Sequence, residues 1–161
     1  MSRWVVVLAG GVGSRFWPLS TPTRPKQLLP LVDDRPLLVA TLDRLASLAP
    51  PSRTLVLTNA SLRDAVRRHA PNIPDENVIA EPRAVGTGGA LAWAASEIER
   101  RDSPAAVMIS VHADWAIGDD AGFLRTCAGI RCNRVLEALV LVRCFVHGAA
   151  GVRGIVTSAW R

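Results

Sequence analysis

The chain has 161 residues, 49% of them hydrophobic, and a net charge of +5. That length suits one domain with a true core and is short for two, and the composition is too apolar for a disordered chain. No apolar run approaches the ~20 residues of a membrane helix. The charge is also unevenly placed: residues 1–120 hold thirteen basic and thirteen acidic residues, and residues 121–161 hold six arginines and a single acid, Glu137. A basic tail without interleaved aromatics is not the footprint of a nucleic-acid binder, so neither membrane nor nucleic acid is expected as a partner.

Trp4-Val5-Val6-Val7-Leu8 is β-branched and lacks polar alternation, so residues 3–8 read as a buried parallel strand. It runs into Ala9, Gly10, Gly11 and Gly13, then Ser14 and Arg15. Glycines at that place let the backbone turn sharply and approach a ligand that a Cβ would push away. Unpaired N–H groups in such a turn make a concave anion site. Arg15 and the basic patch Arg24-Pro25-Lys26-Gln27 add fixed positive charge, so the physical reading is a pocket for a phosphorylated ligand. Lys26 is the single lysine against eighteen arginines, which suggests a compact ammonium placed to meet a phosphate. Plainer readings compete. A glycine after a strand is often only a tight turn. The dinucleotide fingerprint fails at its third glycine, where Phe16 stands, and the Gly-Lys-Ser/Thr ending of a phosphate-binding P-loop is missing. A secretion signal is disfavoured because glycines and Arg15 break the apolar run and no small-x-small cleavage site follows.

Leu38, Leu42, Leu45 and Leu48 recur at helical spacing, which predicts an amphipathic helix over residues 35–48, stopped by Pro50-Pro51. Residues 53–58 predict a second strand, and Asn59 or Ser61 can cap a helix running to about His69. Residues 77–80 predict a short third strand. In residues 81–90 a strand again meets glycines and then a helix, with Thr87 as the expected N-cap and Leu91, Ala94, Ala95 and Ile98 as the buried stripe. The first turn of that helix would offer free N–H groups to an anion. Residues 105–111 predict a fourth buried strand ending in His112-Ala113-Asp114-Trp115. A carboxylate after a parallel strand lies at the crevice where α/β sheets bind ligands. Asp119 or Asp120 is expected to cap a further helix. Four strand–helix units predict an α/β fold, a Rossmann-like parallel sheet with helices on both faces.

Residues 10–20 (GGVGSRFWPLS) and 24–29 (RPKQLL) together resemble the signature of the sugar nucleotidyltransferases. The Trp-Pro-Leu-Ser and Arg-Pro-Lys-Gln variants look most like the mannose-1-phosphate guanylyltransferase branch. The segment Glu81-Pro82 to Ala90 is similar to that family's Glu-Pro-x-x-x-Asn-Thr-Ala-Pro-Ala box, with Gly86 for Asn and Gly88-Gly89 for Ala-Pro. Asp114 resembles the metal-binding aspartate of its Pro-Ala-Asp-His box, with His112 for Pro and Trp115 for His. The resemblance implies the nucleotide-diphospho-sugar transferase type of fold. It also implies transfer of GMP from GTP to mannose 1-phosphate, with Mg²⁺ as cofactor, while the cytoplasm is expected from the cysteines, read as reduced thiols. It implies Arg15 and Lys26 as catalytic residues, Asp114 as the metal ligand, and nucleotide contacts from Leu8, Ala9, Gly10, Gly11, Gly13, Ser14, Gly86 and Thr87. A relative using another base or sugar phosphate remains an alternative, as does an inactive nucleotide-binding fragment.

The match runs to about Arg125. The family's Gly-Tyr-Gly-Tyr and Glu-Lys-Pro patterns do not appear, and the chain contains no tyrosine. Cys127, Cys132 and Cys144 all follow residue 120, in a number and spacing that suit neither a disulfide framework nor a zinc site. The expected organisation is a nucleotide-binding part over residues 1–126, truncated relative to the family, and an atypical tail over 127–161, for which a shifted reading frame is the preferred reading, with another strand over 139–146 and a natural truncation as alternatives.

Overall fold

The computed structural model describes residues 2–11, 16–83 and 86–129. Its core is a four-stranded, all-parallel sheet in the order β3-β2-β1-β4, formed by β1 (Arg3–Leu8), β2 (Thr54–Asn59), β3 (Val78–Glu81) and β4 (Val107–His112). These strands form because their sequences are continuous apolar runs. Trp4 to Val7, Thr54 to Thr58 and Val107 to Val111 are all buried, as a sheet covered on both faces requires.

The pleat divides those residues between two cores. Val5, Val7, Val56, Ile109 and Val111 face a cluster completed by Leu38 and Leu45 of α1 (Leu37–Leu45), Val66 of α2 (Arg63–His69) and Phe123 and Cys127 of α4 (Asp120–Ala128). Trp4, Val6, Leu55, Leu57 and Met108 face α3 (Gly86–Arg101), which contributes Ala90, Leu91, Ala94 and Ile98. Three helices thus cover one face and α3 the other, as the α/β reading expects. Chain order runs from β1 outward through β2 to β3, then back across the sheet to β4. The switch in strand order therefore falls between β1 and β4, and α/β sheets bind ligands at the carboxyl ends of such strands.

Several boundaries differ from the sequence reading. The first helix spans Leu37–Leu45 rather than 35–48. Beyond it, i→i+3 bonds from Ala46 to Asp43 and from Leu48 to Leu45 tighten the chain ahead of Pro50, although Leu48 stays buried. The second strand begins at Thr54, because Pro51–Arg53 forms a 3-10 turn. β3 begins one residue late because Asn77 closes another such turn, and β4 begins at Val107 because the Ala105 N–H bonds to Ser103 Oγ in a bend. Thr87 is not an N-cap. It lies inside the first turn of α3, which Gly86 enters with φ +80°, a left-handed conformation that suits glycine. Asn59 and Asp119 do cap, accepting from the N–H groups of Leu62 and Gly122. Among the described residues no helix is long and apolar enough to cross a membrane.

Candidate functional site

The register Leu8↔His112 sets the ends of β1 and β4 side by side, and the Ala113 N–H donates to the Leu8 carbonyl at 3.0 Å. Ala9, Gly10 and Gly11 leave the sheet on one side of that seam, and Ala113 and Asp114 on the other. The chain after β1 then returns through Phe16 and the bridge Thr21↔Arg24 to a 3-10 turn at Lys26–Leu28. This turn brings Lys26 back over the strand ends. Its Nζ lies 3.4 Å from Asp114 Oδ2 and 4.4 Å from the centre of the Phe16 ring, so one ammonium is held between a carboxylate and an aromatic face. The sequence implied a phosphate role for Lys26 and a metal role for Asp114. The fold brings the two together, 88 residues apart in the chain, and pairs them with each other.

Gly10 and Gly11 are exposed at the same edge, and neither is forced to be glycine by its surroundings. A Cβ at Gly10 would make ordinary contacts with the backbone of Thr58 and Asn59, the nearest at 3.8 Å, and one at Gly11 would meet nothing within 4 Å. The expected need for a sharp turn is therefore not what places glycine at these two positions; what their missing side chains leave bare is the outer face of the backbone. Leu8 and Ala9 lie in and just after the strand, with Ala9 buried. Gly86 and Thr87 are exposed at the start of α3, after β3, and no hydrogen bond or ion pair joins them to Lys26 or Asp114 among the described residues. Gly13, Ser14 and Arg15 lie outside the described residues, as does the tail from residue 130.

Three polar side chains to which the sequence reading gave no part in the site shape the loop. Gln27, itself buried, donates from Nε2 to the Ala9 carbonyl at 2.7 Å, and Thr58 donates from Oγ1 to the same oxygen at 3.1 Å. Asn59 donates from Nδ2 to the Gly10 carbonyl at 3.2 Å. A signal was present: Thr58 and Asn59 are polar residues closing an otherwise apolar strand, and Gln27 is an amide next to the lone lysine. On the β4 side, Thr41 of α1 donates to the Ala113 carbonyl at 3.4 Å, and the His112 ring stacks on Trp115 with centroids 5.2 Å apart.

A hollow of about 350 Å³ adjoins the site, walled by Trp115, Val32, Arg35, Asp43, Arg44 and Asp120 among others, but neither Lys26 nor Asp114 lines it. Its guanidinium groups are already matched, Arg35 with Asp33 and Asp43 and Arg44 with Asp120. Hydrogen bonding from Arg35 holds the Asp33 carboxyl below its ordinary range. The chemistry-bearing residues therefore sit beside this hollow and not in it. Asp114 stands without a ready-made cage, since among the described residues no group of three or more His, Cys, Asp or Glu is placed to hold a metal ion. A single half-exposed carboxylate fits Mg²⁺ in one familiar way, in which the ion keeps most of its ligands from water and substrate phosphates.

Known proteins resemble this chain over most of the same span. A family model described as nucleotidyl transferase matches residues 4–128. Mannose-1-phosphate guanylyltransferase 2 from Escherichia coli O157:H7 is 37% identical over 121 residues, covering 73% of this chain and 25% of that protein. Mannose-1-phosphate guanylyltransferase from Escherichia coli K12 is 38% identical over 122 residues, with the same coverage. A crystal structure described as a mannose-1-phosphate geranyltransferase from Thermus thermophilus superposes with a TM-score of 0.70 at 37% identity, over 80% of this chain and 37% of that one. The chain spans about a quarter of the length of the curated relatives it matches. The parallel sheet, the glycine loop after its first strand and the agreement over residues 4–128 together place the chain in the nucleotidyl transferase family.

Proposed function

We propose that the chain is the nucleotide-binding part of a sugar nucleotidyltransferase that transfers GMP from GTP to mannose 1-phosphate. The observation that carries this reading is the convergence of Lys26 and Asp114 at the switch point of the sheet, beside the bare backbone of Gly10 and Gly11. The base and the sugar are taken from the named relatives.

In the proposed reaction an oxygen of the sugar 1-phosphate attacks the α-phosphorus of GTP. The bond from that phosphorus to the bridging oxygen breaks, and pyrophosphate leaves with the electron pair. No protein nucleophile is required, so the work lies in alignment and charge neutralisation. Leu8, Ala9, Gly10, Gly11, Gly13 and Ser14 would line the nucleotide through their backbone, with Gly86 and Thr87 offering the first turn of α3. Arg15 would hold the departing phosphates and Lys26 the reacting ones. Asp114 would hold Mg²⁺, which when bound offsets negative charge on phosphate oxygens.

A second reading is a nucleotide-binding module without turnover, in which the Lys26–Asp114 pair grips the nucleotide and its magnesium and no transfer follows. Calorimetric titration with GTP and Mg²⁺, paired with a pyrophosphate-release assay on mannose 1-phosphate, separates the two. Binding with release supports the transferase, binding alone supports the module, and no binding defeats both. Repeating the titration with ATP and UTP tests the choice of base. We also propose that residues 127–161 are an out-of-frame readout, because charge, cysteine use and motif content all change together near residue 126.

A further inference from the structure

Most backbone groups at the end of β1 are committed to the protein interior. The Ala9 N–H donates to the Leu57 carbonyl at 2.7 Å. The Ala9 carbonyl receives two donors, Gln27 Nε2 and Thr58 Oγ1, which together occupy both of its lone pairs. The Gly10 carbonyl receives Asn59 Nδ2. Gln27 and Thr58 are both buried, at 3% and 0% exposure, so an oxygen that points at them points inward. The peptides Ala9–Gly10 and Gly10–Gly11 are trans. In a planar trans peptide the N–H points opposite to the C=O of the same unit. Turning the Ala9 carbonyl inward therefore turns the Gly10 N–H outward, and fixing the Gly10 carbonyl on the half-buried Asn59 at the end of β2 directs the Gly11 N–H away from that strand. Two consecutive N–H groups on one exposed stretch are the donors an anion needs.

The geometry points to Gln27, Thr58 and Asn59 as positioning residues: a three-donor clamp on the Ala9 and Gly10 carbonyls that aims the next two N–H groups at the phosphates of the nucleotide. This rests on the reading of the loop as a nucleotide site. The clamp also accounts for an amide next to Lys26. One short turn carries both the ammonium and the donor that orients the glycine backbone, so the two halves of the phosphate site are set by one element. Asn59 has a second duty, since its Oδ1 accepts from the Leu62 N–H and from Ser61 Oγ. The test therefore uses the other two residues.

The full chain is prepared as wild type, Gln27→Met, Thr58→Val and Thr58→Ser, each checked for folding by circular dichroism and studied well below its melting temperature. Valine keeps the volume of threonine and loses the donor, whereas serine keeps the donor and loses the methyl group. GTP with Mg²⁺ is the calorimetric probe, and the Ala9 carbonyl ¹³C signal is followed without ligand. Methionine and valine each weaken GTP binding by about three- to tenfold, the worth of one neutral hydrogen bond, and each moves the Ala9 signal. Serine recovers most of the loss. Equal GTP binding by the wild type, Gln27→Met and Thr58→Val overturns the clamp, as does a loss in Thr58→Ser as large as that in Thr58→Val. A wild type that takes up no GTP overturns the nucleotide reading instead, and the clamp is then judged by the Ala9 signal alone, where an unmoved signal in both variants defeats it.

Discussion

The Lys26 and Asp114 side chains remain 22% and 42% exposed, and an ion pair that open contributes between nothing and about 1 kcal/mol to stability. A phosphate contact from the same ammonium is charge-assisted and is worth about 1.5–3 kcal/mol. The two numbers make Lys26→Gln decisive. It should change unfolding free energy in urea by less than about 1 kcal/mol, yet weaken GTP binding by the larger amount. Equal losses in both would mean that the pair is only a structural contact. Glycine gives a parallel contrast. Gly11 has open space around its missing Cβ, so Gly11→Ala should leave the melting temperature unchanged or slightly raised while reducing GTP affinity, read by calorimetry. Gly86 has φ +80°, so Gly86→Ala should cost about 1–2 kcal/mol of stability wherever the nucleotide sits. On the proposed reading Gly11 is glycine for the ligand's sake, whereas the backbone of Gly86 alone calls for glycine, and neither position announces which from the sequence.

At the scale of elements, α3 is the helix on which the second face of the sheet depends, and its end is tied down by charge. Glu97 accepts from Arg100 and Arg101, and Arg101 reaches on to Asn77 Oδ1 at 2.6 Å and the Glu76 carbonyl at 3.0 Å. That chain of contacts fastens the end of α3 to the turn that starts β3. Hydrogen bonding from Arg100, and then from Arg101, lowers the Glu97 carboxyl from 4.5 to about 2. A carboxyl lowered in the folded state contributes stability that is complete above its unfolded value and is lost as pH falls through the folded one. Glu97→Gln should therefore cost about 1–2 kcal/mol at pH 7, allowing for solvent screening. Denaturation of wild type and variant compared between pH 5 and pH 2 should show that gap close across the window from 4.5 to about 2. A gap independent of pH would place the effect in packing. The elements themselves were legible where one signal governs them: the uninterrupted apolar runs of β1, β2 and β4, and the leucine spacing of α1. Their ends were not, because local competition decides them, as where Gly86 and not Thr87 opens α3. The clamp was illegible for a different reason. Gln27 and Thr58 act on an oxygen 18 and 49 residues away, and no local pattern encodes a partner at that distance.

For the whole molecule, the sheet and its two cores gather the described residues between 3 and 128 into one α/β unit, and the family match covers nearly the same span. Over residues 1–120 the acidic and basic counts balance, which suits a surface laced with pairs such as Arg44–Asp120 and Arg63–Asp75. Beyond 128 the balance fails, with five arginines against Glu137, and Cys132 and Cys144 fall in the same stretch, whereas Cys127 belongs to the core as a buried residue of α4. Selection on a folded surface acts on charge, cysteine content and motif separately. A shift of reading frame changes all of them at one codon. The prediction is that one of the other two frames downstream of codon 126 encodes a Gly-Tyr-Gly-Tyr or Glu-Lys-Pro pattern with a near-balanced charge. Sequencing the transcript across that codon and translating the three frames decides it. Two alternative frames without either pattern would return residues 127–161 to the protein as its own sequence and leave their composition to be explained by something other than a shifted frame.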